Sequence, residues 1–129
     1  MACVFNVPHE DAVTQALRAA GARFAFVHGS RAAGERYRSD SDLDVAAWWL
    51  DEPPQPWQVT LPVGADLVVL NRAPLWLAGR VALYGRLLFD DDSVRRVSWQ
   101  ADTRRIWLDE RPRVRQSQRE FRAAVTARG

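Results

Sequence analysis

The chain has 129 residues, of which 47% are hydrophobic and 26% charged, and its formal net charge at pH 7 is +2. These values are typical of a single globular domain and exclude a disordered chain, and no apolar run approaches the roughly 20 residues of a transmembrane helix. Because Cys3 has no second cysteine to pair with, an internal disulfide and a cysteine-based zinc cluster are excluded, and we expect a cytoplasmic protein.

The positive charge is carried by arginine alone and is unevenly distributed. All 18 basic residues are arginine, so a Walker-type phosphate loop and a catalytic lysine are excluded. Residues 1–110 hold 12 arginines against 15 acidic residues, whereas residues 111–129 hold six against one. This basic tail could contact nucleic acid or an acidic partner, although a solvated helix face is the commoner explanation.

The first third of the sequence predicts a helix followed by two strands. Apolar residues recur at helical spacing between Glu10 and the stop signal Gly21. The apolar run "RFAFVHGS" predicts a buried strand that ends in a glycine–serine turn, and "SDLDVAAWWL" predicts a second strand. The prolines of "DEPPQP" end that strand.

The rest of the sequence predicts shorter elements around the same sheet. They are, in chain order, a strand or helical turn at Trp57 to Leu61, a strand at Ala65 to Asn71, a helix at Ala73 to Gly85, an edge strand at "RLLFD", and a mostly helical segment at 91–129 that is interrupted or kinked at Pro112. Together the elements predict one α+β domain of α/β type, with a small mixed sheet flanked by helices.

Two aspartates in the second predicted strand indicate a metal site. Alternate residues of a strand point to the same face, so Asp42 and Asp44 project together, about 6.8 Å apart along the backbone. Neighbouring carboxylates repel unless a cation lies between them, and Mg²⁺ accepts carboxylate, water and phosphate oxygens. Asp40 and Asp42 are an alternative pair, but Asp40 lies where an aspartate is ordinary turn chemistry.

A site for two metal ions needs a third carboxylate from a neighbouring strand. Asp66 fits this position because it opens the apolar run "DLVVL"; the alternative is that Asp66 merely begins a strand at the surface. Gly29 would let the backbone approach phosphates closely, and the Ser30 hydroxyl can bond a phosphate oxygen, although a serine after glycine is also a common helix cap.

In combination, the segments "FVHGSRAAG", "SDSDLDV", "DLVVLNRAPLWL" and "GRLLF" resemble the nucleotidyltransferase superfamily that includes DNA polymerase beta. More narrowly they resemble its MNT-type minimal nucleotidyltransferase domains, over about half of the chain. The resemblance implies the polymerase beta-like nucleotidyltransferase fold. It also implies that Gly29, Ser30 and Arg31 contact the nucleotide, and that Asp42, Asp44 and Asp66 bind Mg²⁺ and form the catalytic triad.

The same resemblance implies a function in a type VII-like HEPN/MNT toxin–antitoxin system. Such antitoxins transfer AMP from ATP to a tyrosine of a HEPN-domain RNase toxin, so ATP and a cognate toxin are the expected partners. Two features depart from the pattern. The spacing between Ser30 and Asp42 is one residue longer than in the antitoxin pattern. The segment 51–65 stands where the pattern has a helix, and this shortening puts the selectivity for the nucleotide base in question.

Three other functions remain open at this stage. The chain could be an antitoxin that neutralises its toxin by binding alone, although the intact carboxylates argue against this. It could be a nucleotidyltransferase acting on a small molecule such as an aminoglycoside, although the chain is short for the extra domain that would enclose a drug. It could extend nucleic-acid ends, which the basic tail weakly permits.

Several further residues have a structural and a functional interpretation. Trp48 and Trp49 are adjacent on a strand and face opposite ways, so we expect one of them to contact another protein. Trp99 and Trp107 are eight residues apart and are expected to pack a helix onto the sheet. His28 could approach the nucleotide but is more often a structural residue at a strand end. Three arginines could bind phosphate or be solvated, and these are Arg72, Arg95 and Arg96.

Overall fold

The computed structural model describes residues 10–29 and 43–128. In these ranges the helices and strands occur in the predicted order. Their bounds are α1 Glu10–Ala19, β1 Phe24–His28, β2 Leu43–Trp48, β3 Ala65–Val69, α2 Leu75–Tyr84, β4 Arg86–Asp90 and α3 Ser93–Arg128. Two short 3₁₀ helices lie at Pro56–Gln58 and Leu70–Arg72, so the ambiguous segment after the prolines contains a helical turn rather than a strand.

The four strands form one mixed sheet in the order β3-β2-β1-β4. Strand β1 is antiparallel to both of its neighbours, β2 and β4, whereas β2 and β3 run parallel. Strand β4 lies at an edge, as its short apolar run predicted. The mixed sheet flanked by helices confirms the predicted fold class.

Each face of the sheet has its own hydrophobic core, because alternate residues of the strands point to opposite faces. On one face α1 packs through Val13 and Leu17, which are fully buried. The strand residues of that core include Ala25, Val27, Leu43, Val45, Ala47 and Val69. On the other face α2 and α3 cover a second core built around Phe24 and Phe26.

Two tryptophans attach α3 to the domain, each in a different way. Trp99 packs against Phe24 and Phe26 with ring centroids 5.8 Å apart in both pairs, so it joins the helix to the sheet as predicted. Trp107 lies against Gly79 and therefore packs α3 onto α2. The expectation that Trp107 would contact the sheet was wrong, because α2 lies between them on this face.

The helix α3 runs without interruption from Ser93 to Arg128 and includes Pro112. Of the two outcomes predicted at Pro112, the interruption was therefore wrong, whereas the kink stays a prediction. A proline in a helix lacks the N–H that would bond the carbonyl four residues earlier, which is Leu108 here. Pro112 and the residues after it lie mainly at the surface, where water can solvate that carbonyl.

Trp48 at the end of β2 and Trp49 just after it differ in burial, as their opposite directions require. Trp49 is only 3% exposed, and its indole N–H donates to the Ala20 carbonyl at 2.9 Å. Trp48 is half-buried and stacks on Phe24 with centroids 5.1 Å apart. The hypothesis of a protein contact is thereby restricted to Trp48.

The three arginines with two interpretations all have partners within the protein. Arg72 donates to the carbonyls of Pro53 and Pro54 at 2.6 and 2.9 Å, which fastens the connection between β2 and β3. Arg96 pairs with Asp90 at 2.9 Å, and Arg95 lies 3.4 Å from Asp92.

None of the helices in the described part of the chain is both long enough and apolar enough to cross a membrane.

The contact between α2 and α3 predicts that replacing Gly79 with alanine destabilises the protein, although alanine usually stabilises a helix. Alanine normally stabilises a helix interior by about 1 kcal/mol relative to glycine. At Gly79, however, an added Cβ would overlap the Trp107 ring. We therefore expect Gly79→Ala to lower the free energy of unfolding, by about 1–3 kcal/mol as in other overpacked sites, when measured by urea denaturation.

The control places Gly79→Ala in a Trp107→Leu background, where the smaller side chain removes the overlap. There the alanine should cost little or stabilise the helix. An equal loss in both backgrounds would show that Trp107 does not determine the effect.

An exposed ion pair predicts a pH dependence of stability. Arg18 of α1 makes two hydrogen bonds of 2.8 Å to the Asp91 carboxylate, and these lower the pKa of Asp91. The stabilisation is present above the unfolded-state pKa of about 3.9 and is lost as the pH falls through the lower pKa of the folded state. We expect Arg18→Met to lower stability slightly at pH 6 and less at pH 3, with a smaller effect in high salt.

Denaturant titrations at the two pH values check this prediction. The Arg18 guanidinium also lies 4.8 Å from the centre of the Phe89 ring. A loss of stability that is the same at both pH values would assign the role of Arg18 to that ring contact instead of to Asp91.

Candidate active site

Three polar side chains lie at one edge of the sheet because of the strand directions. His28 is the last residue of β1, Asp44 lies near the start of β2, and Asp66 lies near the start of β3. His28 pairs with Asp44 across the antiparallel ladder, and Asp44 pairs with Asp66 across the parallel ladder. The three residues therefore form one row across neighbouring strands.

The two aspartates of this row point to the same face of the sheet. Leu43 and Val45, which flank Asp44, are fully buried in the core under α1, so Asp44 points to the opposite face. Asp66 is its direct partner in a parallel pair, and neighbouring strands are about 4.8 Å apart. Their carboxylates are thus neighbours, Asp44 half-buried and Asp66 exposed.

Gly29 follows β1 and lies against the Asp44 carboxylate. Its φ is +80°, in the left-handed region that favours glycine. A Cβ added at Gly29 would be 2.9 Å from the Asp44 Oδ2 atom, closer than such atoms pack. Both the conformation and the space at this position therefore favour glycine, and the backbone here lies directly beside a carboxylate.

His28 adds a buried imidazole to the same edge. Its Nε2 atom is buried and has no hydrogen-bond partner within the described ranges. Burial lowers the pKa of His28, and the charge of Asp44 and a hydrogen bond to the Val45 backbone offset part of that shift. The sequence placed His28 beside Gly29 but gave no sign of its pairing with Asp44, which depends on the register of β1 with β2.

The chemistry of this edge fits a hard divalent cation. Two neighbouring carboxylates in register repel one another, and a cation between them removes the repulsion. Mg²⁺ prefers such oxygen ligands and shares its remaining positions with water and phosphate. Among the described residues no group of three His, Cys, Asp or Glu side chains is close enough to hold a metal ion. Asp42, the predicted third carboxylate, lies outside the described residues.

Of the predicted nucleotide contacts, Gly29 is among the described residues. Ser30 and Arg31 lie outside them, and their roles stay predictions. The connection from β2 to β3 contains a single 3₁₀ turn at Pro56–Gln58. It ends where the Leu43 amide donates to the Gly64 carbonyl at 2.7 Å, which ties the end of the connection to the start of β2.

Comparisons with solved structures identify this fold. One chain of a crystal structure of a toxin–antitoxin with AMP-PNP superposes with a TM-score of 0.63 and 21% identity, covering 85% of this chain and 98% of that chain. A chain of the toxin–antitoxin MntA-HepT superposes with a TM-score of 0.57 and 19% identity, covering 84% and 96%. This chain has the minimal nucleotidyltransferase fold.

A third similar structure comes from Shewanella oneidensis. It is a complex of a tri-AMPylated HEPN toxin with MNT antitoxin, and its matching chain has a TM-score of 0.57 and 19% identity over 84% of this chain and 95% of that one. No protein-family model and no curated protein sequence matches the chain. At these identities the likeness to the MNT antitoxin structures establishes the fold, as the sequence resemblance predicted.

The close approach of Gly29 to Asp44 predicts that Gly29→Ala lowers the free energy of unfolding by more than the replacement of another left-handed glycine does. Gly21→Ala is the matched control, since Gly21 has φ +94° but its added Cβ would make only ordinary contacts of 3.7 Å with the Trp49 ring. The left-handed conformation costs an alanine about 1–2 kcal/mol at either site. Only Gly29→Ala must also displace the Asp44 carboxylate.

Urea denaturation of both variants checks this prediction, together with the NMR chemical shift of the Asp44 carboxyl carbon. We expect a larger loss of stability and a shifted carboxyl resonance in Gly29→Ala alone. Equal losses in the two variants, with an unchanged Asp44 resonance, would contradict the close approach.

Proposed function

We propose that this protein is an MNT-type antitoxin and an Mg²⁺-dependent nucleotidyltransferase, which transfers AMP from ATP to a tyrosine of a cognate HEPN toxin. The observation that carries the proposal is the pairing in register of Asp44 with Asp66, beside the left-handed Gly29. The fold supports it, since it is the fold found in a toxin–antitoxin with AMP-PNP and in a complex that contains a tri-AMPylated toxin.

Three carboxylates would hold the metal in this proposal. Asp44 and Asp66 lie on one face and on adjacent strands, and Asp42 precedes Asp44 by two residues, the spacing that places alternate strand residues on one face. When bound, Mg²⁺ would neutralise the triphosphate and make the acceptor hydroxyl more acidic.

The segment that begins at Gly29 would bind the triphosphate. Because Gly29 has no side chain, its backbone can come close to the phosphates next to Asp44. The Ser30 hydroxyl and the Arg31 guanidinium would donate hydrogen bonds to phosphate oxygens, the latter with the planar geometry that suits such anions. Their task is to hold the α-phosphorus in line with the acceptor.

The transfer reaction balances without a further reactant. The oxygen of the tyrosine hydroxyl forms a bond to the α-phosphorus of ATP, and the bond from that phosphorus to the oxygen bridging to the β-phosphate breaks. Pyrophosphate leaves with the electron pair of the broken bond. The hydroxyl proton passes to Asp66, whose exposed carboxylate can meet an incoming side chain. The product is a tyrosine carrying AMP.

The substitution Asp44→Asn tests the proposed reaction. The purified protein is incubated with ATP labelled at the α-phosphate, Mg²⁺ and HEPN-domain proteins of the source organism. We expect label on the HEPN protein, and a loss of at least about 100-fold with Asp44→Asn, because one preorganised charged group at the reacting phosphate is removed. The matched control is Asp51→Asn, an exposed acid beyond β2 that should leave the transfer unchanged.

A second readout of the same variant separates metal binding from folding. Asp44→Asn removes the repulsion with Asp66, so the metal-free variant should melt at the same or a higher temperature than the wild type. Mg²⁺ with AMP-PNP should raise the Tm of the wild type and of Asp51→Asn, but not that of Asp44→Asn.

The destination of the label distinguishes the alternative functions. Label on an aminoglycoside would indicate a small-molecule nucleotidyltransferase, and label on RNA would indicate end extension. A stable complex with the HEPN protein that never becomes labelled, with no Mg²⁺-dependent rise in Tm, would refute the enzymatic proposal and leave a purely binding antitoxin.

A further inference from the structure

The second half of α3 carries a row of arginines on one side. Arg111, Arg115, Arg119 and Arg122 are spaced by four, four and three residues, which places them on one face of a helix over about 16 Å. We call these four residues the arginine row. From Arg115 onward the described side chains of this half of the helix are exposed.

The arginine row has no counter-charge in the described parts of the chain. Residues 111–128 contain six arginines and one acidic residue, Glu120. The ion pair found there joins Arg113, outside the row, to Glu110 at 3.0 Å. Like charges four residues apart destabilise a helix, so the row favours binding of an anion along its length.

Two tryptophans lie at the end of the arginine row that is next to α2. A cleft of about 470 Å³ opens between the two helices, lined by Trp76, Arg80, Trp107, Arg111, Arg115 and Gln118. Trp76 is 52% exposed, so its indole face is accessible from solvent. We call this the tryptophan–arginine cleft.

The cleft is separate from the candidate active site. Asp66 lies near the start of β3, whereas the chain runs through β3 and a 3₁₀ turn before it reaches Trp76 at the start of α2. The two sites therefore lie at opposite ends of that strand, and no residue that lines the cleft belongs to the row of His28, Asp44 and Asp66.

We propose that the tryptophan–arginine cleft and the arginine row bind a single-stranded nucleic acid. Guanidinium groups pair with phosphate oxygens, and exposed indoles stack on unpaired bases. The juxtaposition of indoles and arginines in one cleft favours this ligand over an acidic protein, which needs no stacking surface. Phe121 and Val125, two exposed apolar residues in this half of α3, lie outside the cleft lining.

Fluorescence anisotropy tests the proposal with the full chain and labelled 12-nucleotide probes. These are oligo-U RNA, oligo-dT DNA and a DNA duplex, all in EDTA, so that the outcome does not depend on the proposed Mg²⁺-dependent reaction. We expect one or both single strands to bind more tightly than the duplex. The single strand that binds more tightly then identifies the ligand as RNA or DNA.

Two variants address the phosphate and base contacts separately. Arg111→Gln/Arg115→Gln should weaken binding at least 10-fold and reduce the salt slope of log K by about 1.4, since each phosphate contact contributes about 0.7 for a single strand. Trp76→Leu should weaken binding about 5-fold or more while leaving the salt slope unchanged. Circular dichroism confirms that each variant is folded.

Matched controls make the proposal refutable. Arg113→Gln lies on the same helix with its side chain paired to Glu110, and should bind almost as the wild type does. Loss in Arg113→Gln equal to that of Arg111→Gln, or tighter binding of the duplex, would mean diffuse attraction and overturn the proposal. The proposal would also be overturned if polyglutamate bound more tightly than either single strand and if Phe121→Ser weakened that binding. That result would indicate an acidic protein partner.

Discussion

The candidate site depends on the parallel pairing of β2 with β3. This pairing sets Asp44 beside Asp66, and a shift of one residue would turn the side chain of Asp66 to the opposite face of the sheet. Hydrogen bonds fix the register at both ends of the pair. The Leu43 amide bonds the Gly64 carbonyl at one end, and at the other the Asn71 side chain accepts from the Trp49 amide and donates to the Trp49 carbonyl. The buried Val69 holds β3 in the core under α1.

The same pairing places two carboxylates side by side at one end of the sheet. Asp44 is half-buried, His28 beside it has a lowered pKa, and a Cβ added at Gly29 would lie 2.9 Å from the Asp44 carboxylate. In the function proposed above, this site gains stability when a cation and an anionic phosphate bind together, so the effect of Mg²⁺ on stability is as informative as activity.

The helix α3 divides into two halves with different physical roles. Its first half is attached to the domain through Trp99 on the sheet and Trp107 on α2. Its second half passes Pro112 and extends along the surface, where the described ion pair joins Arg113 to Glu110 and includes no member of the arginine row. Helical structure in that half is therefore supported mainly by continuity with the packed half, since isolated charged helices of this length are marginal in water. A polyanionic ligand would supply the missing charge.

The order of the elements, the mixed sheet and the pairing of aspartates could be predicted from the sequence, because strand alternation and helical spacing are local properties of the chain. The resemblance of four segments to known domains also implied a nucleotidyltransferase fold. The prediction was wrong for Trp107, which packs on α2 because the packing of two helices is not a local property of the chain. The sequence also predicted that α3 is interrupted or kinked at Pro112, and the helix is not interrupted there.

Which residues from distant segments became neighbours depends on the tertiary structure. The register of β1 with β2 brought His28 to Asp44, and no local pattern in "FVHGS" encodes that pairing. The packing of α2 against α3 likewise placed Trp76 and Arg80 across from Arg111, residues that lie more than thirty positions apart in the chain. Contacts of this kind depend on how whole helices and strands pack together, and the local pattern of a single segment does not contain that information.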